Sequence, residues 1–138
     1  MARVLRFGDG VPLLLHMSHD DGEKLDLAFY YAGEGGYLPG RTRSPLGYFA
    51  FEALDQPICP PAVVTLRWDM RWVQGLWRDW VVDVPRSRAL VQALVADARV
   101  AKVFVEPPLA EAWGVAGGKV RFQGCRAARH DDHVHVQL

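Results

Sequence analysis

The sequence ends in His130-Asp131-Asp132-His133-Val134-His135-Val136-Gln137-Leu138, and the reading of this stretch decides the fold. Two of the histidines alternate with valine. In an extended strand successive side chains point to opposite faces. His133, His135 and Gln137 therefore share one face, and Val134, Val136 and Leu138 share the other. The apolar face can sit on a core while the imidazoles open into a cleft. Imidazole is the commonest protein ligand for a catalytic metal, so this stretch reads as half of a metal site carried on a strand.

The other half is sought at the far end of the chain, where the remaining histidines, His16 and His19, stand. His19 opens a segment that runs through Asp26-Leu27-Ala28-Phe29-Tyr30-Tyr31, and residues 25 to 31 alternate and are rich in strand formers. Asp26, Ala28 and Tyr30 would share one face, with Leu25, Leu27 and Phe29 on the core face. An aspartate in a mostly apolar strand is costly to bury without a partner, and a divalent cation is a good one. A turn at Asp21-Gly22 can bring His19 beside Asp26. A catalytic zinc site usually has three protein ligands and one open position. His19, Asp26 and His135 supply two nitrogens and one carboxylate oxygen, so Zn2+ is the expected cofactor. His133, on the face of His135, is the first candidate for a general base. His16 reads as a loop or partly buried histidine. Asp20, Asp21, Glu23 and Asp131 read as solvated, or as orienting the ligands.

His19, six residues, Asp26, and then His133-Val134-His135 near the end together resemble the zinc metallopeptidase superfamily of lysostaphin, the D-Ala-D-Ala peptidases and the hedgehog signalling domain. The flanks are most similar to the penicillin-insensitive murein endopeptidases, as is Val100-Ala101-Lys102-Val103-Phe104-Val105-Glu106-Pro107. The resemblance implies a peptidase cleaving amide bonds next to D-amino acids in peptidoglycan stem peptides or cross-links, in the periplasm or cell envelope. It implies that His130 and His133 are the catalytic helpers. Other members of the superfamily place a carboxylate where Asp132 stands, which makes Asp132 a second candidate for the base. Gln137 departs from the arginine common at its place. A dipeptidase or carboxypeptidase acting on free D-Ala ends, and a non-catalytic zinc-stabilised binding module, are the rival expectations.

The rest of the chain is consistent with a single domain over residues 1–138. Half the residues are hydrophobic, and 16 basic side chains balance 16 acidic ones, which gives no argument for nucleic acid or a membrane surface. No apolar run is long enough to span a bilayer, and the first residues lack the apolar region of a signal peptide. Cys59 and Cys125 could pair or remain separate thiols. Residues 32 to 47 form a Gly/Pro-rich loop whose Arg41 and Arg43 are candidates to pair with a substrate carboxylate. Residues 62 to 68 read as a strand or the entry to a helix. Asp69 would cap a helix over 70–80, with Trp72, Leu76 and Trp80 as a core stripe. A second helix is predicted from Asp83 to about Asp97, strands over 100–105 and 119–123, and a helical turn over 109–113. Short helices beside a small, mostly antiparallel sheet make the class α+β, of the hedgehog/DD-peptidase type.

Overall fold

The computed structural model describes residues 23–60 and 67–138. His16, His19 and the part of the 62–68 expectation before Arg67 lie outside them. In chain order the elements are β1 (Lys24–Ala28), β2 (Tyr31–Gly33), β3 (Gly36–Tyr37), α1 (Arg71–Gln74), β4 (Val81–Val82), α2 (Val84–Ala96), β5 (Lys102–Phe104), α3 (Pro107–Ala112), β6 (Val120–Arg121) and β7 (His133–Gln137). The class is α+β. One sheet has the order β1-β7-β5-β6, and a smaller antiparallel one has the order β3-β2-β4. β7 runs antiparallel to both of its neighbours, and only the β5–β6 edge is parallel.

β7 therefore lies between two strands, and its valines meet the core. Val134 and Val136 pack with Leu27 and Val103 of the sheet, with Phe29 just after β1 and with Leu90, Val91 and Leu94 of α2. Burying side chains of this size contributes about 1.5–3 kcal/mol each. Trp113 closes the cluster edge-on to Phe29, with centroids 5.1 Å apart. Asp83 caps α2 by accepting the Arg86 N–H at 3.1 Å, which satisfies one of the donors every helix start leaves open. Buried Ser87 on α2 accepts the Tyr30 N–H at 3.1 Å and ties the helix to the two-residue link between β1 and β2. α3 starts on Pro107 and Pro108, where a missing N–H costs nothing.

The tryptophan-rich segment differs from the sequence expectation. Helix forms only over α1, entered through Met70 in a left-handed conformation with no side-chain cap and ended at Gly75. Trp72 and Leu76 are 79% and 75% exposed and do not form a core stripe. The cause is tertiary: Gln74 Nε2 and Trp77 Nε1 donate to the Phe49 carbonyl at 2.8 and 2.9 Å, which holds the segment against the 44–51 loop.

Cys59 and Cys125, 66 residues apart, form a disulfide with Cα atoms 5.6 Å apart. By loop-closure entropy a link of that span is worth about 4 kcal/mol. No helix among the described residues is long and apolar enough to cross a membrane.

Candidate metal centre

The register of β1 on β7 sets Asp26 opposite His135 and Ala28 opposite His133. Cross-strand partners share a face, so the carboxylate and both imidazoles fall on the side away from the valines. Asp26 Oδ1 lies 2.6 Å from His135 Nδ1 and 3.6 Å from His133 Nε2. The Tyr48 hydroxyl donates to Asp26 Oδ2 at 2.8 Å. Burial pushes the Asp26 pKa up. The His135 hydrogen bond, the charge of His133 and the Tyr48 hydrogen bond outweigh it, and the carboxyl sits well below its usual range. Burial and the Asp26 carboxylate push the Tyr48 phenol up, so it stays a donor.

His133 Nδ1 meets Asp132 Oδ1 at 2.6 Å, and Asp132 Oδ2 accepts the Phe49 N–H at 2.7 Å. Asp132 thus has one oxygen on the imidazole and one on the backbone. With Nδ1 engaged, His133 turns Nε2 toward Asp26. Burial lowers the His133 pKa, but the charge of Asp132 and its hydrogen bond prevail, so the net shift is upward. The His130 ring lies 5.0 Å from that of His133 and 5.4 Å from that of His135. Burial, and then the charges of His133 and His135, push its pKa down to about 2. It is neutral at ordinary pH, the form that ligates a metal or accepts a proton.

No family model, curated protein or solved structure matches this chain. The site therefore stands on its own geometry.

The turn leading into β7 is pinned from several sides. Asp131 is fully buried, and its carboxylate takes Arg129 Nε at 2.8 Å and the Ala53 N–H at 2.9 Å. Glu106 Oε1 accepts the His130 N–H and Arg67 Nη1, each at 3.0 Å, and Oε2 accepts Arg67 Nη2 at 2.7 Å. The Glu106 N–H in turn donates to the His130 carbonyl at 3.0 Å. Guanidinium groups thus answer Asp131 and Glu106, whereas Asp26 and Asp132 face imidazoles. Buried carboxylates and imidazoles with shifted pKa values mark a candidate functional site.

Asp26, His130, Asp132, His133 and His135, all expected at the site, are brought into one buried cluster; His19 lies outside the described residues. His130, His133 and His135 place ligand atoms within 4.8 Å of one another and can hold a metal ion. Asp26 Oδ1 stands beside that group, against His135 Nδ1. Ligands of a tetrahedral zinc at 2.0–2.2 Å stand about 3.3 Å apart, and Asp26 Oδ1 lies 2.6 Å from His135 Nδ1 and 3.6 Å from His133 Nε2. Arg43 binds Glu52 at 2.8 Å and the Arg78 carbonyl at 3.2 Å. Arg41 is exposed on the same loop. A cavity of about 640 Å³ reaches Arg67, Glu106 and Arg129 but is lined by none of the three clustered imidazoles. The sequence reading passed over Tyr48, Phe49, Arg67 and Glu106. Glu106 had a usable signal, since it follows Val103-Phe104-Val105 as Asp26 sits among apolar strand residues; Tyr48 and Phe49 had none.

Proposed function

We propose that the protein is a zinc-dependent peptidase of the murein endopeptidase type, hydrolysing amide bonds in peptidoglycan stem peptides or cross-links. The observation that carries this reading is the β1–β7 pairing, which sets Asp26 Oδ1 against His135 Nδ1 at 2.6 Å and His133 Nε2 at 3.6 Å. Asp26 and His135 are the proposed ligands, joined by His19 from the head of the chain. A bound zinc would supply Lewis acidity toward a water and an amide carbonyl.

The chain's own residues do the rest. His133, oriented by Asp132, takes the attacking water's proton; the carboxylate behind it raises its basicity. His130, neutral and packed on both other imidazoles, accepts a hydrogen bond from substrate or water. Asp132 acts through His133, because both of its oxygens are already engaged. The Cys59–Cys125 bond supports an oxidising compartment such as the periplasm or cell surface.

A second donor set has its own support. His130, His133 and His135 form a three-nitrogen site, in which Asp26 and Asp132 would orient the imidazoles, as carboxylates behind metal-bound histidines commonly do. Asp26→Asn separates the two: it strips a ligand in the first arrangement and only an orienting group in the second.

The test of function is incubation of purified protein with muropeptide dimers and with monomers ending in D-Ala, with and without a chelator, read by mass spectrometry. Chelator-sensitive cleavage of dimers is expected. Cleavage of monomers alone would make it a carboxypeptidase or dipeptidase. No chelator-sensitive product from either would leave a non-catalytic metal-stabilised module.

A further inference from the structure

We infer that Tyr48 and Phe49 act together as a clamp that restricts Asp26 to binding a metal through one oxygen and fixes His133 with Nε2 facing that metal. The inference rests on the metal-centre reading and concerns two residues on no strand or helix of the site.

The Tyr48 hydroxyl occupies Asp26 Oδ2 at 2.8 Å, while Oδ1 faces the imidazoles. A carboxylate with one oxygen held by a donor offers the other to a metal, whereas a loose carboxylate can swing in with both. The Tyr48 ring also stands edge-on to His133, with centroids 5.0 Å apart and planes at 78°. The next peptide unit does the matching job for the other carboxylate: the Phe49 N–H holds Asp132 Oδ2 at 2.7 Å, and Asp132 Oδ1 holds His133 Nδ1. Two successive residues thus reach the carboxylates that touch His135 and His133.

The backbone shows that this arrangement is imposed. Phe49 has φ 67°, the left-handed region that bulky L-residues avoid. It persists because its neighbours over-determine it. Gln74 Nε2 and Trp77 Nε1 both donate to the Phe49 carbonyl, Gln74 Oε1 accepts the Phe51 N–H at 3.1 Å, and buried Ser44 Oγ donates to the Tyr48 carbonyl. Strain held in this way concentrates where geometry must be kept. The exposed α1 segment consequently has a use: its Gln74 and Trp77 fasten the clamp from outside.

The test is titration of Co2+ into the full chain, following the visible absorption of the bound ion. Wild type, Tyr48→Phe and Gln74→Ala are compared, with circular dichroism as the check on folding. Tyr48→Phe is expected to weaken cobalt binding about 10–100-fold, the usual effect of removing a group that orients a ligand. It should also lower the absorption per cobalt, as both Asp26 oxygens enter and the coordination number rises. Gln74→Ala, which touches no ligand, should weaken binding by a smaller factor. Unchanged affinity and spectrum in Tyr48→Phe overturn the Asp26 half of the clamp, and unchanged affinity in Gln74→Ala overturns the Phe49 half. Failure of wild type to bind cobalt removes the metal centre and the clamp with it. A protein that binds cobalt but cleaves no muropeptide loses the peptidase reading, and the clamp survives.

Discussion

Val134 and Val136 on one face of β7 are 0% and 1% exposed, and His133 and His135 on the other are 6% and 7%. Burial is nearly equal, yet the two faces are held by different means. The valines need volume, and Leu90, Val91, Leu94 and Phe29 supply it. The imidazoles need oriented partners, and those come from Asp26 across the strand pair and from Asp132 and Tyr48 outside it. An apolar face can be repacked by any shape of the right size. A buried polar face is only as good as each of its partners, since a half-satisfied network is worse than none.

Removing a proposed metal donor from the polar face has the largest expected effect. His135→Ala or Asp26→Ala should weaken metal binding by more than about 100-fold, beyond what loss of an orienting residue does. Calorimetric titration or metal analysis after dialysis measures it, and retained wild-type affinity would break the distinction between the faces. Val134→Ala probes the opposite face. It should cost about 2 kcal/mol of folding stability through lost burial and a residual cavity, read by denaturant unfolding, with metal affinity unchanged.

The third difference is in pH. His130 has a folded pKa of about 2, below its unfolded value of about 6.5. The unfolded chain therefore takes up a proton that the folded one refuses, and metal-free stability falls as pH drops below about 6.5, by up to about 1.4 kcal/mol per unit. His133 is shifted upward; its contribution is present below its unfolded pKa and is lost as pH rises through the folded one. Asp26 is shifted downward; its contribution is present above the ordinary carboxylate range and is lost at lower pH still. These three groups together favour an optimum near pH 6.5, and the Glu52 and Asp131 carboxyls, raised by burial, soften the acid limb. His130→Asn should flatten the limb between there and pH 4, whereas Val134→Ala should lower the whole profile without changing its shape. Urea unfolding across pH reads both, and a flat wild-type profile contradicts the assignment.

The apolar face was legible in the sequence because alternation is local. Leu25 and Leu27 announce one strand and Val134 and Val136 another, with an aspartate and two histidines at the intervening positions; the strand expected over 25–31 breaks after Ala28, and Tyr31 enters the second sheet. The α+β class followed from the same patterns. What alternation could not reveal is which distant residues complete the polar face. Phe49 reaches Asp132 across 83 positions and Glu106 reaches His130 across 24, and no periodicity encodes either contact. The tryptophan segment failed for a related reason. Its helical spacing is real, but Gly75 and the hydrogen bonds from Gln74 and Trp77 to the Phe49 carbonyl outweigh it. The Arg43–Glu52 pair was hidden likewise, since Glu52 lies nine positions on and folds back to meet it.

The most direct measurement of the central claim is a crystal structure of the zinc-soaked protein with anomalous data collected at the zinc edge. The account predicts one anomalous peak at about 2.0–2.2 Å from both Asp26 Oδ1 and His135 Nδ1, with His133 Nε2 facing it and Tyr48 still on Asp26 Oδ2. A peak bound by the three imidazoles with Asp26 turned away, or no peak between β1 and β7, would contradict it.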